Sequence, residues 1–297
     1  MNDFTFLFPA FVLKYKGDEV ENLQKCGVNF SEKLREVSDI AGIDITSFDI
    51  ADNNFMENEL KNQLVTYLIS CLYSDIIKSQ KNHPTNISFL SMGIYSALYC
   101  AESLTLEEGI LLIKRIYEYL FSQVFDKNYK MLAVTGFNRT DIQEIINKEE
   151  LECEVVIKNN GHSYIIAGRE LDISKFYNKA QEEGAMHLNL FPVSIPYHSG
   201  FLNIEELEIG LFDNINIKAP AFKVFSSVDH DYLENIQQIK SAISSNLITN
   251  IDWHKTKTTL IKTGYCNFIE CGPGDSLKRI SKFIDGSFKV FNFSSSI

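Results

Sequence analysis

Ile87-Ser88-Phe89-Leu90-Ser91-Met92-Gly93-Ile94-Tyr95-Ser96-Ala97-Leu98 decides the fold. Ile87 to Leu90 is a short apolar run of strand length. From Gly93 the apolar residues Ile94, Ala97, Leu98 and Ala101 return at helical spacing. The stretch therefore reads as a strand, a sharp turn holding Ser91, and a helix. A serine hydroxyl becomes a useful nucleophile when a base lies within hydrogen-bond reach and donors face the oxyanion that forms. A strand-turn-helix elbow supplies part of this, because it lifts the serine clear of the sheet and aims the next backbone N–H, that of Met92, at the developing charge. The helix N-terminus adds a favourable dipole. The segment keeps the serine and the second glycine of the G-x-S-x-G pattern but not the first. Taken alone, a serine in such a turn is more often an ordinary turn or cap residue.

Upstream, Phe4 to Phe8 reads as a buried strand ended by Pro9, and the apolar segment as a whole runs to Leu13. Leu60, Leu64, Tyr67, Leu68, Cys71 and Leu72 predict a long helix over about 57–79, and Lys81 to Asn86 a loop. Downstream, Thr105 with Glu107 and Glu108 is a capping box that opens a helix bearing Leu106, Ile110, Ile113, Ile116, Leu120 and Val124. The stretch 129–191 has its own order. Strand Met131 to Thr135, helix Arg139 to Asn147, strands Glu154 to Lys158 and Ser163 to Ala167 about the turn Asn159-Asn160-Gly161-His162, helix Ile173 to Glu182 and strand His187 to Phe191 make a βαββαβ unit. Beyond it come strand Phe222 to Val228, a helix over about 232–246, strand Asn267 to Cys271, helix Ser276 to Phe283 and strand Phe288 to Phe293. The expectation is an α/β protein: a large unit (1–128 and 192–297) with a parallel-sheet core like that of the α/β-hydrolases, and a small inserted ferredoxin-like unit (129–191).

The bulk properties narrow the function classes. A chain of 297 residues, 45% hydrophobic and 23% charged, has ample core material, and a net charge of −11 argues against nucleic acid as a partner. Asp3, Pro9 and the absence of a basic leading region argue against a signal peptide. No apolar run reaches the roughly 18 residues of a membrane span. Six scattered cysteines without a C-x-x-C pair read as free thiols, so a cytoplasmic location is expected. His83, His162, His187, His230 and His254 lack metal-ligand spacing, and no metal is indicated.

Four motifs, in order, resemble the malonyl-CoA:acyl-carrier-protein transacylases and the acyltransferase domains of polyketide synthases. They are Phe6-Leu7-Phe8-Pro9 at the start, Gly93-Ile94-Tyr95-Ser96-Ala97-Leu98 with Ala101-Glu102-Ser103-Leu104 after the serine, Pro192-Val193-Ser194-Ile195-Pro196-Tyr197-His198-Ser199, and Ile269-Glu270-Cys271-Gly272-Pro273-Gly274. The resemblance covers nearly the whole chain, and the insert sits between serine and histidine as it does in that family. It implies a dyad in which Ser91 attacks an acyl thioester and His198 takes and returns its proton. It implies an oxyanion hole from the backbone of Met92 and Phe11, a histidine oriented by the main-chain carbonyl of Asn246 (placed by aligning on Trp253), and an acyl pocket near Ile116, Leu90 and Asn159. For His198 the alternative is a structural histidine after a proline-rich turn; for Asn159 it is a plain turn residue. No bound cofactor is implied. Acyl-CoA and the phosphopantetheine arm of an acyl-carrier protein are the substrates, and a carrier protein or a polyketide synthase the partner.

The chain also departs from the family. Phe89-Leu90 replaces glycine-histidine before the serine. Ala10-Phe11-Val12 replaces a Gly-Gln-Gly loop whose glycines would allow close backbone approach. Ile94 replaces a glutamate. Ile116 stands where an arginine pairs with the malonyl carboxylate, and isoleucine cannot supply that bidentate contact. Arg115 is adjacent, but one helical residue is about 100° of rotation away; a bulge or a one-residue shift would bring it back. These changes imply transfer of an uncharged acyl group such as acetyl. Hydrolysis of such a group from a carrier protein, or a non-catalytic docking role, are the alternatives. Carrier proteins are acidic, so docking needs a local basic patch, for which Lys255, Lys257, Lys262, Lys278, Arg279 and Lys282 are candidates; a solvated helix face is the plainer reading.

Overall fold

The computed structural model describes residues 3–293 apart from 13, 53, 54, 56, 57 and 81. Leu13 at the end of the opening apolar segment, position 57 at the expected start of the long helix, and Lys81 at the start of the following loop lie outside the described residues. In chain order the elements are β1 (Thr5–Phe8), α1 (Glu19–Lys25), α2 (Phe30–Ala41), α3 (Glu59–Ser79), β2 (Asn86–Phe89), α4 (Gly93–Cys100), α5 (Leu106–Val124), β3 (Tyr129–Thr135), α6 (Arg139–Lys148), β4 (Cys153–Asn160), β5 (Ser163–Arg169), α7 (Glu170–Glu182), β6 (His187–Leu190), α8 (Glu205–Gly210), β7 (Val224–Phe225), β8 (Tyr232–Leu233), α9 (Ile236–Ile248), β9 (Ile251–Asp252), α10 (Trp253–Lys262), β10 (Asn267–Glu270), α11 (Ser276–Ser281) and β11 (Lys289–Asn292).

Six strands form one sheet in the order β11-β10-β1-β2-β7-β8, parallel throughout except for β8. Every residue of β1 and β2 is buried, as expected for strands covered on both faces. In register, Thr5 pairs with Asn86 and Phe8 with Phe89, so the two strands end side by side. The loops that leave their carboxyl ends are therefore neighbours, which is where open parallel sheets place their ligands. Helix α3 packs against α2, α4 and α5 and is buried around most of its circumference.

The inserted unit is a second sheet in the order β6-β3-β5-β4-β9. Its antiparallel part, β6-β3-β5-β4, has the ferredoxin-like order, and α6 and α7 cover it. The α/β class and the inserted unit are as the sequence predicts. Strand β9, from beyond residue 191, adds a parallel strand to β4. Phe176, Ile142 and Leu132 centre a core of their own in the insert. Between the two sheets lies a shared core, in which Leu7, Leu90, Phe268 and Trp253 meet Met131, Val156 and Ile165.

Several boundaries differ from expectation. The segment from Tyr232 begins with a two-residue strand pairing with β7, and helix α9 starts only at Ile236, after Asn235 caps it. The strand expected over Phe222 to Val228 contracts to Val224–Phe225, the two residues that pair with β2 on one side and β8 on the other. Asn159 and Asn160 continue β4, so the turn is Gly161-His162 alone.

Candidate active site

The elbow forms as a strained turn. Ser91 sits at φ 56°, in the left-handed region that costs a residue with a side chain about 1–2 kcal/mol. The Leu90 N–H donates to Phe8 O at 2.9 Å and ties the turn to β1. A Cβ on Gly93 would lie 2.3 Å from Phe8 O and 2.7 Å from Pro9 O, so α4 can rest on the end of β1 only with glycine there. The bulky Phe89-Leu90 pair is absorbed on either side of the sheet, Phe89 in the large core and Leu90 in the shared one. Ile94 is buried in the large core. Ala10 and Val12 keep negative φ, so the conformation of the backbone there needs no glycine at either position. The amide N–H groups of Met92 and Phe11 find no acceptor among the described residues, and both residues line the cavity beside Ser91.

His198 is held through its backbone and through both ring nitrogens. Its N–H donates to Leu247 O and its carbonyl accepts from Asn250 Nδ2, both at 2.7 Å. It too takes a positive φ, 64°. Ring Nδ1–H donates to the Asn246 carbonyl at 2.5 Å, which leaves Nε2 as acceptor; Ser91 Oγ–H donates to it at 2.7 Å. Asn246 closes the loop by donating from Nδ2 to Ser91 O at 3.2 Å. The imidazole is 2% exposed. Burial drives its pKa down to about 4, with the Asn246 carbonyl pulling the other way, so the ring is neutral near pH 7 and able to accept a proton.

The cavity beside the dyad is narrow, about 20 Å³. Ile116 lines it together with Gln63, Tyr95, Ile113 and Tyr197. Arg115 does not reach it. Its Nη1 donates to the carbonyls of Gly210 (3.1 Å), Leu211 (2.5 Å) and Asp213 (3.1 Å), which fixes the guanidinium at the C-terminal end of α8. Helix α5 runs regularly through this point, so neither a bulge nor a shift restores an arginine to the site. Leu90 and Asn159 are outside the cavity wall. Leu90 faces the shared core, and Asn159 Nδ2 bonds Ser163 Oγ across the hairpin at 3.3 Å.

Sequence reasoning did not single out Gln63, Tyr95, Ile113 or Tyr197 as lining residues. Tyr197 adjoins the histidine, and that adjacency was the one local signal. Among the described residues no cluster of His, Cys, Asp or Glu could hold a metal ion, and no helix is long and apolar enough to cross a membrane. Lys257 leaves the candidate basic patch: it is fully buried, with Nζ over the Phe268 and Phe288 rings. Lys255, Lys262, Arg279 and Lys282 are exposed. A wider cleft of about 290 Å³, lined by Asp75, Lys78, Glu108 and Lys218, holds neither member of the dyad.

No profile of a known protein family matches the chain. The chain is similar to a malonyl CoA-acyl carrier protein transacylase of Buchnera aphidicola subsp. Baizongia pistaciae, 24% identical over 256 residues, covering 84% of this chain and 82% of the relative. The corresponding protein of Haemophilus influenzae is 29% identical over 209 residues, covering 68% and 66% of the two chains. Among solved structures, the acyl-carrier-protein S-malonyltransferase of Burkholderia pseudomallei superimposes with a TM-score of 0.86 at 24% identity, covering 99% of this chain and 98% of that one. In a further match, with a TM-score of 0.85 at 20% identity over 98% and 96% of the chains, a malonyl-transacylase is bound to a type II polyketide-synthase acyl-carrier protein. With its four motifs in order and both sheets matched, the chain has the fold of the malonyl-CoA:acyl-carrier-protein transacylases and is a divergent relative of them.

Proposed function

We propose that this protein moves an uncharged acyl group of the acetyl type from coenzyme A to the phosphopantetheine thiol of an acyl-carrier protein, through an ester on Ser91. Ser91 Oγ attacks the thioester carbonyl carbon while its proton passes to His198 Nε2. The oxyanion forms within reach of the Met92 and Phe11 N–H groups. Collapse breaks the C–S bond, and the imidazolium gives its proton to the departing sulfur. In the second half the carrier thiol loses its proton to Nε2 and attacks the acyl carbon. The C–Oγ bond then breaks and the proton returns to Oγ. No bound cofactor takes part.

The observation that carries the choice of acyl group is the apolar wall of the cavity. Ile116 stands in it, while Arg115 is committed to three carbonyls at and just past the end of α8. A malonyl group adds a carboxylate, three heavy atoms and a charge, and would set that charge against this wall. An uncompensated carboxylate there would be costly to desolvate. The relatives named as transacylases support acyl transfer as the reaction class. To test the reading, the protein is mixed with acetyl-CoA and a phosphopantetheinylated carrier protein. Acetyl-carrier protein should accumulate, and Ser91→Ala should lower its rate by at least about a thousandfold. Free acetate without acetyl-carrier protein, or transfer that survives Ser91→Ala, would refute it.

A further inference from the structure

Behind the acyl cavity lies a buried carboxyl that the dyad does not use. Glu59, the first residue of α3, is 5% exposed. Oε1 accepts from Tyr197 Oη at 2.7 Å and from Gln63 Nε2 at 3.2 Å, and Oε2 accepts from the Ser194 N–H at 3.2 Å. Gln63 Nε2 donates a second time, to Tyr197 Oη at 2.9 Å. Both ring members, Gln63 and Tyr197, line the cavity with Ile116.

The donor inventory fixes how this ring is oriented. When ionised, the carboxyl only accepts, so the tyrosine then donates to it and the Gln63 amide turns Nε2 inward, as observed. Turning Gln63 over would set Oε1 against the carboxylate, two acceptors facing each other. Among the described residues both hydrogen bonds of Gln63 are made by Nε2, which leaves Oε1 as the polar atom the residue has for the cavity it lines. The histidine segment completes the arrangement, since Ser194 and Tyr197 both belong to it. Lys130 is the cation that faces Glu59, and Tyr117 and Tyr197 are its other titratable neighbours. Burial pushes the Glu59 carboxyl up to about 7, and its three donors and Lys130 pull the other way, toward the ionised form.

We propose that Glu59 is a specificity-determining positioning residue: acting through Gln63 and Tyr197, it turns an acceptor toward the acyl cavity and holds negative charge behind it, so that the site rejects carboxylated acyl thioesters and takes neutral ones. The proposal rests on the acyl-transfer reading above. It adds that the carboxylate is repelled, and not only left without an arginine.

The test compares initial rates of acyl-enzyme formation by intact mass for acetyl-CoA and malonyl-CoA, in the wild-type protein, Glu59→Gln and Tyr197→Phe. Glu59→Gln keeps the shape and removes the charge, and the malonyl-to-acetyl rate ratio should rise about tenfold. Tyr197→Phe removes one of the three donors to the carboxylate, which favours its neutral form, and should raise the ratio by a smaller factor. A merely structural role would lower both rates together. An unchanged ratio in Glu59→Gln, or in Tyr197→Phe should Glu59→Gln not fold, overturns the proposal while leaving acetyl transfer standing. A wild-type protein that takes malonyl in preference to acetyl, or takes neither, overturns the reading of acetyl-type transfer itself and this proposal with it.

Discussion

At the scale of single residues, the site is built from two strained positions, Ser91 at φ 56° and His198 at φ 64°. Both are held by backbone contacts, and the histidine is oriented by a carbonyl, not a carboxylate. A carbonyl carries no full charge, so it cannot hold the imidazolium as a buried aspartate does; desolvation therefore dominates and the pKa falls to about 4. The sign of the pH dependence follows. The base is competent when neutral, so acylation by acetyl-CoA should stay level from pH 8 down to about 5 and fall as pH drops through about 4. Stopped-flow or quenched acylation rates check this; a rise centred on 6.5, the ordinary histidine value, would contradict it. Ser91 and His198 were legible because the motifs around them are local. Glu59 was not, since its contact with Tyr197 spans 138 residues of sequence and nothing near either residue announces it.

At the scale of elements, the contact between α4 and β1 decides whether the elbow exists. The backbone carbonyls of Phe8 and Pro9 occupy the place where a side chain at Gly93 would begin. Gly93→Ala should therefore cost about 3 kcal/mol of stability, measured by chemical denaturation, because the atoms it meets are backbone and cannot rotate away. An unchanged stability would mean that α4 does not rest on β1 as described. Helices with side-chain signals were readable in advance: Thr105 and Glu108 form the predicted capping box of α5. Others carried signals that went unread. Asn235 and Gln238 form a capping box that fixes the start of α9, and Asn29 caps α2 from the equivalent position. Two-residue strands such as β8 and β9 have no periodicity to read, and their existence depends on the partner strand.

At the scale of the molecule, the proposed selectivity draws on parts far apart in the chain. Helix α5 presents Ile116, α8 takes Arg115 away, α3 supplies Glu59 and Gln63, and the segment after the insert supplies Tyr197 and His198. The order of motifs made the fold legible, because two sheets and an insert can be read from strand spacing and turn chemistry. The destination of Arg115 was not legible, because the carbonyls that hold it lie 95 to 98 residues further along the chain, nor was the burial of Lys257 between two phenylalanines. What these parts jointly predict is an acyl-enzyme on Ser91 that carries an uncharged group. The direct measurement is the intact mass of the wild-type protein after brief exposure to acetyl-CoA or to malonyl-CoA at equal concentration. The account predicts an acetyl adduct, lost in Ser91→Ala, with malonyl adduct slower to form. A clean malonyl adduct with no acetyl adduct would contradict it.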